Sequence, residues 1–236
     1  SIRKKLKLDK VGEYSATDQR TAHAIAKRLS NFVPPDGSLI TNATASIGGN
    51  TFAFARLFEN VKAIEKDSTR ARFLRHNLEV LGLNTRVSVI EGDASDVIFK
   101  KSKHSQSYPS AVFIDPPWGG PGYKDLPVIN YLYLSTKLPN GSTSLPNGST
   151  LLPRGSRMEL SDIICKLSDT KTFNLVAIKL PLNYNVKALI QRVNSCFKQV
   201  TDGSKSHRPI LVAYERFAKM SFVIFKIFDH ITQRRI

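Results

Sequence analysis

The apolar run Ala111-Val112-Phe113-Ile114 halts at Asp115-Pro116-Pro117-Trp118-Gly119-Gly120, and no other stretch narrows the possible fold so far. A short β-branched and aromatic run that ends in an acid and two prolines reads as a buried strand stopping at the carboxyl edge of its sheet. That edge is where open α/β sheets keep their ligands. Neither proline has an N–H to donate, and each confines the residue before it to extended backbone, so the Asp115 and Pro116 carbonyls are rigid acceptors. Trp118 adds a flat π-face beside them, while Gly119, Gly120 and Gly122 leave room for something planar. The plain structural alternative is a turn with a tryptophan tucked into the core.

Upstream, strands and helices alternate in the same manner. Ser38-Leu39-Ile40-Thr41 reads as a strand, and the small residues and paired glycines of 42–51 lead from it into a helix over 51–58. Such a turn lets backbone approach a ligand closely. The strand over 61–64 ends at Glu65, where an acid can accept both hydroxyls of a ribose. A helix follows over 68–81, capped by Ser68, with Ala71, Leu74, Leu78 and Leu81 inward and Arg70, Arg72 and Arg75 outward. The strand over 87–90 then leads to Asp93, which suits either the amino group of an adenine or the cap of a short helix.

At the amino end, Arg3, Lys4, Lys5, Lys7 and Lys10 make a basic arm, and a helix capped by Ser15 or Thr17 runs to about Leu29. Residues 1–30 are thus an arm and helix preceding a domain over 31–236. Residues 125–137 read as helical, and 138–157 repeat Leu-Pro-Asn-Gly-Ser too often to build a core, which predicts a flexible loop. Beyond it the pattern predicts a helix over 158–167, a central strand ending at Pro181, a helix over 186–195, and closing strands over 210–214 and 221–228.

A chain of 236 residues, 41% hydrophobic, can bury one sizeable core. Its formal net charge of +16 points to a polyanionic partner and salt-sensitive binding. Cys165 and Cys196 form no disulfide framework or zinc spacing, and His23, His76, His104, His207 and His230 do not supply one. The chain therefore reads as metal-free and intracellular. No apolar run is long enough to span a membrane, and Ser1-Ile2-Arg3-Lys4-Lys5 lacks the apolar middle of a secretory signal.

The Asp-Pro-Pro-Trp stretch resembles the motif of methyltransferases acting on exocyclic amines. The longer Pro-Pro-Trp-Gly-Gly-Pro-Gly-Tyr, Ile47-Gly48-Gly49-Asn50-Thr51 and Tyr14-Ser15-Ala16-Thr17 resemble the trimethylguanosine synthase family, which methylates the exocyclic amine of a 7-methylguanosine RNA cap. The resemblance covers about 14–125, with Asn183 similar to a further family segment. It implies a Rossmann-like class I fold: a mostly parallel seven-stranded sheet, an antiparallel C-terminal hairpin, and helices on both faces. It implies S-adenosylmethionine as cofactor, held by Tyr14, Ser15, Thr17, Asn42, Ala43, Gly48, Asn50, Thr51, Glu65, Lys66, Asp93, Ala94 and Asp115. Catalysis falls to Asp115, Pro116, Pro117 and Trp118, and substrate binding to Trp118, Asn183, Lys4, Lys5 and Lys7, with Lys100, Lys101 and Lys103 on the RNA. Asn42 stands where the family usually has an acid, Ser46 replaces a glycine, and Asp115 replaces a frequent Ser. Two alternatives stay open: methylation of an internal guanine or adenine amine, and a catalytically silent RNA-binding subunit. The expected partner is capped RNA, bound by a monomer or a subunit of an RNA-processing complex in the nucleus or cytoplasm, of cellular or viral origin.

Overall fold

The computed structural model describes residues 2–100, 110–135, 157–196 and 209–227. Seven strands form one sheet, in the order β3 (Val87–Glu91), β2 (Asn60–Glu65), β1 (Leu39–Asn42), β4 (Ser110–Ile114), β7 (Leu175–Pro181), β9 (Met220–Lys226), β8 (Ile210–Arg216). The first five are mutually parallel; β9 runs antiparallel to both β7 and β8. This is the Rossmann-like class I arrangement with its antiparallel C-terminal strand. Strands covered on both faces need unbroken apolar sequence, and every residue of β4 and β7 is buried.

Helices α2 (Gln19–Ser30), α3 (Gly49–Leu57) and α4 (Ser68–Val80) cover one face. There Ile25, Leu29, Phe54 and Leu74 meet Phe113 and Phe222 in a continuous apolar layer. The opposite face carries α5 (Ala94–Ile98), α6 (Leu160–Thr170) and α7 (Val186–Cys196), which bury Ile98, Ile163, Leu167, Leu189 and Val193. Among the described residues no helix is long and apolar enough to cross a membrane.

Several local expectations need correction. Residues 126–135 are not helical. A 3-10 turn, Pro121–Asp125, gives way to extended chain in which Ile129 bridges to Tyr184, followed by β5 (Tyr133–Ser135), paired antiparallel with β6 (Arg157–Glu159). Pro127 is the reason: it holds Leu126 extended at φ −82°, ψ 130°, and the Ile129 N–H then donates to the Asn183 carbonyl at 2.8 Å. Met158 lies in β6, so α6 starts only at Leu160, capped by Glu159. The caps of α2 and α4 are Asp18 and Asp67 rather than Ser15, Thr17 or Ser68. A carboxylate accepts the free N–H groups and also meets the positive helix end. Cys165 and Cys196 are joined in a disulfide between α6 and α7, with Cα atoms 6.4 Å apart; a count of two cysteines cannot reveal a pairing that depends on how two helices lie. Residues 138–156 of the repeat, with Lys101, Lys103 and Phe228, lie outside the described residues.

The basic arm is docked by its backbone. A 3-10 turn, Ile2–Lys5, and α1 (Lys10–Ser15) flank an extended segment that lies on α4. The amide of Asn77, 1% exposed, accepts from the Lys7 N–H at 2.7 Å and donates to the Lys7 carbonyl at 2.8 Å. It also donates to the Ile47 carbonyl at 3.2 Å. The side chains of Arg3, Lys4, Lys5, Lys7 and Lys10 stay exposed. Asn77→Ala leaves a peptide group of the arm unpaired, at a cost of about 1 to 3 kcal/mol. Trypsin should then cleave at Lys7 and Lys10 faster than in the parent, with a lowered melting temperature; unchanged cleavage would mean that the arm is held by other groups.

Candidate active site

Loop 42–48 leaves the carboxyl end of β1 and is stiffened from within. Asn42 is fully buried, donates to Thr51 Oγ1 at 3.0 Å and accepts from the Thr44 N–H at 3.2 Å, so Asn42 and Thr51 satisfy each other. Thr44 Oγ1 in turn accepts from the Asp115 N–H at 2.8 Å, and Ala43 N–H donates to the Phe113 carbonyl. Ser46 sits at φ 49°, in the left-handed region where a glycine costs less. Gly48 caps α3 at φ 115°. At Gly49 a Cβ would come within 3.0 Å of the Thr17 N, which explains how the segment around Thr17 can lie directly against the loop.

Glu65 ends β2 with 7% exposure. Its Oε2 accepts from the Ser46 N–H at 2.8 Å and its Oε1 from the Asp67 N–H at 2.9 Å. Arg70, expected to point outward, turns inward instead, with Nε 3.5 Å from Glu65 and Nη1 3.4 Å from Asp9. An anionic cluster at the start of α4 draws it in. Oε1 is shared by the Asp67 N–H and Arg70, whereas Oε2 keeps a lone pair and can still accept from a hydroxyl. Asp93 is 6% exposed and caps α5 through Oδ1, which accepts from the N–H and hydroxyl of Ser95. Ala94 is buried beside it, and Lys66 is exposed beyond the end of β2.

Asp115 follows β4 and meets Lys179 of β7. Lys179 Nζ stands 2.7 Å from Asp115 Oδ2 and donates to Thr17 Oγ1 at 2.8 Å, with the two charged side chains only 9% and 15% exposed. Thr17 Oγ1 also accepts from Asn50 Nδ2 at 2.9 Å. Burial pushes the Asp115 carboxyl above its ordinary range, and the Lys179 ammonium pulls it back. The same ammonium lies 5.0 Å over the Trp118 ring, which is half-buried and meets Tyr123 edge-to-face at 5.1 Å. Pro116 is buried and Pro117 exposed. Gly119 and Gly120 adopt φ 93° and 74°, so their lack of a side chain serves the backbone; a Cβ on either would meet nothing within 4 Å. Asn183 donates to the Tyr123 and Leu126 carbonyls at 2.9 and 2.7 Å and so fixes the stretch after Trp118.

The edge therefore gathers Thr17, Asn42, Ala43, Gly48, Asn50, Thr51, Glu65, Asp93, Ala94 and Asp115 with Trp118 and Asn183. Tyr14 and Ser15 are exposed at the end of α1, and Lys4, Lys5 and Lys7 lie along α4. Of the eight buried side-chain polar atoms that lack a hydrogen-bond partner among the described residues, three lie at this edge: Asn50 Oδ1, Trp118 Nε1 and Asn183 Oδ1. Buried groups of this kind are ordinarily paired, and all three belong to the stretches that the motifs single out. The sequence pattern does not single out Lys179, Asn77, Asp9 or Arg70. Lys179 carries a signal all the same, being the single charge in an otherwise apolar strand, a place where lysine is seldom found. No cluster of His, Cys, Asp or Glu among the described residues could hold a metal ion.

The fold has many solved likenesses. A candidate RNA methyltransferase from Pyrococcus horikoshii superposes with a TM-score of 0.54 at 15% identity, covering 96% of this chain and 94% of that one. A candidate methyltransferase from Escherichia coli gives 0.51, also at 15%, covering 95% and 92%. At such identities the likeness speaks for the fold alone. In sequence, the trimethylguanosine synthase of Schizosaccharomyces pombe is 42% identical over 117 residues, 49% of this chain and 47% of that protein. The Saccharomyces cerevisiae trimethylguanosine synthase is 30% identical over 113 residues, covering 47% and 34%. An uncharacterized protein of Acanthamoeba polyphaga mimivirus is 25% identical over 200 residues, covering 77% and 68%. The match thus spans about half the length of the fission yeast enzyme and a third of the budding yeast one. The methyltransferase fold and family imply S-adenosylmethionine as methyl donor. Residues 38–202 match the family model described as RNA cap guanine-N2 methyltransferase, a range that runs from the start of β1 past the end of α7, and the chain belongs to that family.

Proposed function

We propose that this chain methylates the exocyclic amine of a 7-methylguanosine cap on RNA, using S-adenosylmethionine. The observation that carries the reading is the level placement of Glu65 and Asp115. Ala63 is in register with Asn42, and Asn42 with Phe113, so Glu65 and Asp115 stand at one height on strands two apart. Two strand spacings are about 10 Å, a span suited to a nucleoside with its ribose at Glu65 and its reactive end near Asp115. The residues fit the cofactor: Glu65 Oε2 for a ribose hydroxyl, Asp93 for the base, and loop 43–50 with the unpartnered Asn50 Oδ1 for the polar tail.

When bound, the cofactor supplies a methyl group on a positively charged sulfur. The protein's share is alignment, because a guanine amine is a poor nucleophile and in-line displacement rewards geometry. Asp115 Oδ1 and the Pro116 carbonyl would accept the amine hydrogens and hold the nitrogen toward the methyl. Asp115 or a water takes the proton after transfer. With Lys179 over one face of the indole, the other face of Trp118 would stack a cationic 7-methylguanine. Lys4, Lys5 and Lys7, anchored by the arm's backbone and exposed at their tips, would follow the RNA phosphates. Asp115 itself favours a second substrate, an internal guanine or adenine amine. Competition by free 7-methyl-GDP separates the two, and methyl transfer to capped RNA read by mass tests the proposal directly.

Trp118→Ala should weaken 7-methyl-GDP binding by about 1 to 3 kcal/mol and leave S-adenosylhomocysteine affinity unchanged by calorimetry; parallel losses would make Trp118 a packing residue. Glu65→Gln should weaken S-adenosylhomocysteine by about 1 to 3 kcal/mol, with 7-methyl-GDP binding retained. An unaltered cofactor dissociation constant would leave Glu65 as a partner of Ser46, Asp67 and Arg70 only. Changing Lys4, Lys5 and Lys7 to Gln preserves the docked backbone, so it tests charge alone. The slope of log affinity for capped RNA against log salt should flatten by about 0.7 for each phosphate no longer neutralised, and free 7-methyl-GDP should bind as before.

A further inference from the structure

Lys179 is the one charged residue of β7, whose seven residues are all buried. Burying an ammonium is costly, and a buried ion pair is often no more stabilising than apolar packing in its place. Packing alone therefore gives little reason for a lysine at this position. Its surroundings do: Asp115 Oδ2 at 2.7 Å, Thr17 Oγ1 at 2.8 Å and the Trp118 ring at 5.0 Å. The ammonium touches the proposed amine acceptor, the segment lying on the cofactor loop, and the proposed base platform. Asp115 Oδ1, by contrast, makes no hydrogen bond among the described residues.

We propose that Lys179 is a positioning residue for methyl transfer: it clamps Asp115 by Oδ2 and so presents Oδ1 to the substrate amine. The inference rests on the reading that Asp115 accepts from an amine. The clamp acts in two ways. It fixes the carboxylate rotation, which an unpaired Asp115 would lose, and it balances the charge, so that Asp115 is neither protonated in its dry surroundings nor drawn onto the positive sulfur of the donor. Because the same Nζ holds Thr17, the segment over the cofactor loop is set relative to the acceptor as well.

The charge role fixes the sign of a pH effect. Lys179 is the one charge acting on Asp115 among the described residues. Thr44, Thr17, Asn50 and Trp118 are neutral neighbours. Removing Lys179 lets burial raise the carboxyl unopposed, and the working form is the ionised one. In Lys179→Met the acid limb of kcat on capped RNA should therefore move to higher pH, with about tenfold loss per pH unit below it. Lys179→Arg, which keeps the charge, should hold the limb near that of the parent. Added to Asp115→Asn, which leaves no carboxyl to titrate, Lys179→Met should bring no shift of the acid limb and a loss smaller than it causes in the parent, that of the Thr17 contact alone. A rate reduced by one factor at every pH, and additive with Asp115→Asn, would overturn the proposal by making Lys179 merely structural. A second measurement does not need turnover: the Asp115 carboxyl, followed by carbon-13 NMR, should titrate at higher pH in Lys179→Met. Titration at the same pH as the parent would also overturn it. An upward move without methylation of capped RNA would leave the clamp standing and overturn the cap reading instead.

Discussion

Four parallel strands, β1, β2, β4 and β7, are buried over most of their length and leave almost nowhere for chemistry except their ends. Within β1, β2, β4 and β7 a polar side chain must be paired or excluded, and within these strands few exceptions occur. The residue or two beyond each strand are released from that demand while still being held by it. Asn42 and Glu65 close their strands, and Ala43, Thr44, Asp93, Asp115 and Asn183 occupy such positions. Because parallel strands end on the same side, residues from five separate parts of the chain converge without any one segment having to fold back. The right-handed crossovers through α3 and α4 then place their amino ends at the same edge.

What closes this edge from the side is the amino-terminal segment, held by polar groups more than by apolar packing. Leu8 and Val11 remain largely exposed. The hold comes instead from the Asn77 amide on Lys7, from Asp9 on Arg70, and from Lys179 and Asn50 on Thr17. Each of these groups also belongs to the loop or the acids of the site: Asn77 reaches Ile47, Arg70 reaches Glu65, and Lys179 reaches Asp115. The segment and the pocket are therefore fastened by the same few side chains, so ordering one orders the other.

The strands and their terminal acids are legible in the sequence because two signals coincide there, a short apolar run and an abrupt polar or proline stop. Strands β1, β2, β3, β4 and β7 fall within a residue or two of expectation, as do α7 and the closing strands. The stretch 126–135 misleads because Leu126, Ile129, Leu132 and Tyr133 have helical spacing, and that spacing conceals the local veto of Pro127. The α2 and α4 caps mislead because Ser, Thr and Asp stand side by side and only geometry selects among them. Arg70 and Asn77 lie on the helix α4, whose apolar face is plain from its spacing, but their partners come from 61 and 70 residues away. No spacing rule reaches that far. Lys179 is the instructive case, since the apolar run around it marks the strand so clearly that the charge within it is easily passed over.

The strand order carries one consequence for how the chain acquires its shape. β9 is made after β8, yet it lies between β8 and β7. A ribosome releasing the chain from its amino end can let β1 to β7 assemble early. β8 then has no neighbour to join, and β7, apolar along nearly its whole length, presents an open edge. Such an edge is a template for wrong pairing with another chain. The sheet is sealed only when residues 220–226 have emerged and threaded into the gap. The last strand of the sheet to be synthesised thus governs how long the apolar centre of the molecule stays uncovered, and any pause in translation between β8 and β9 prolongs that exposure.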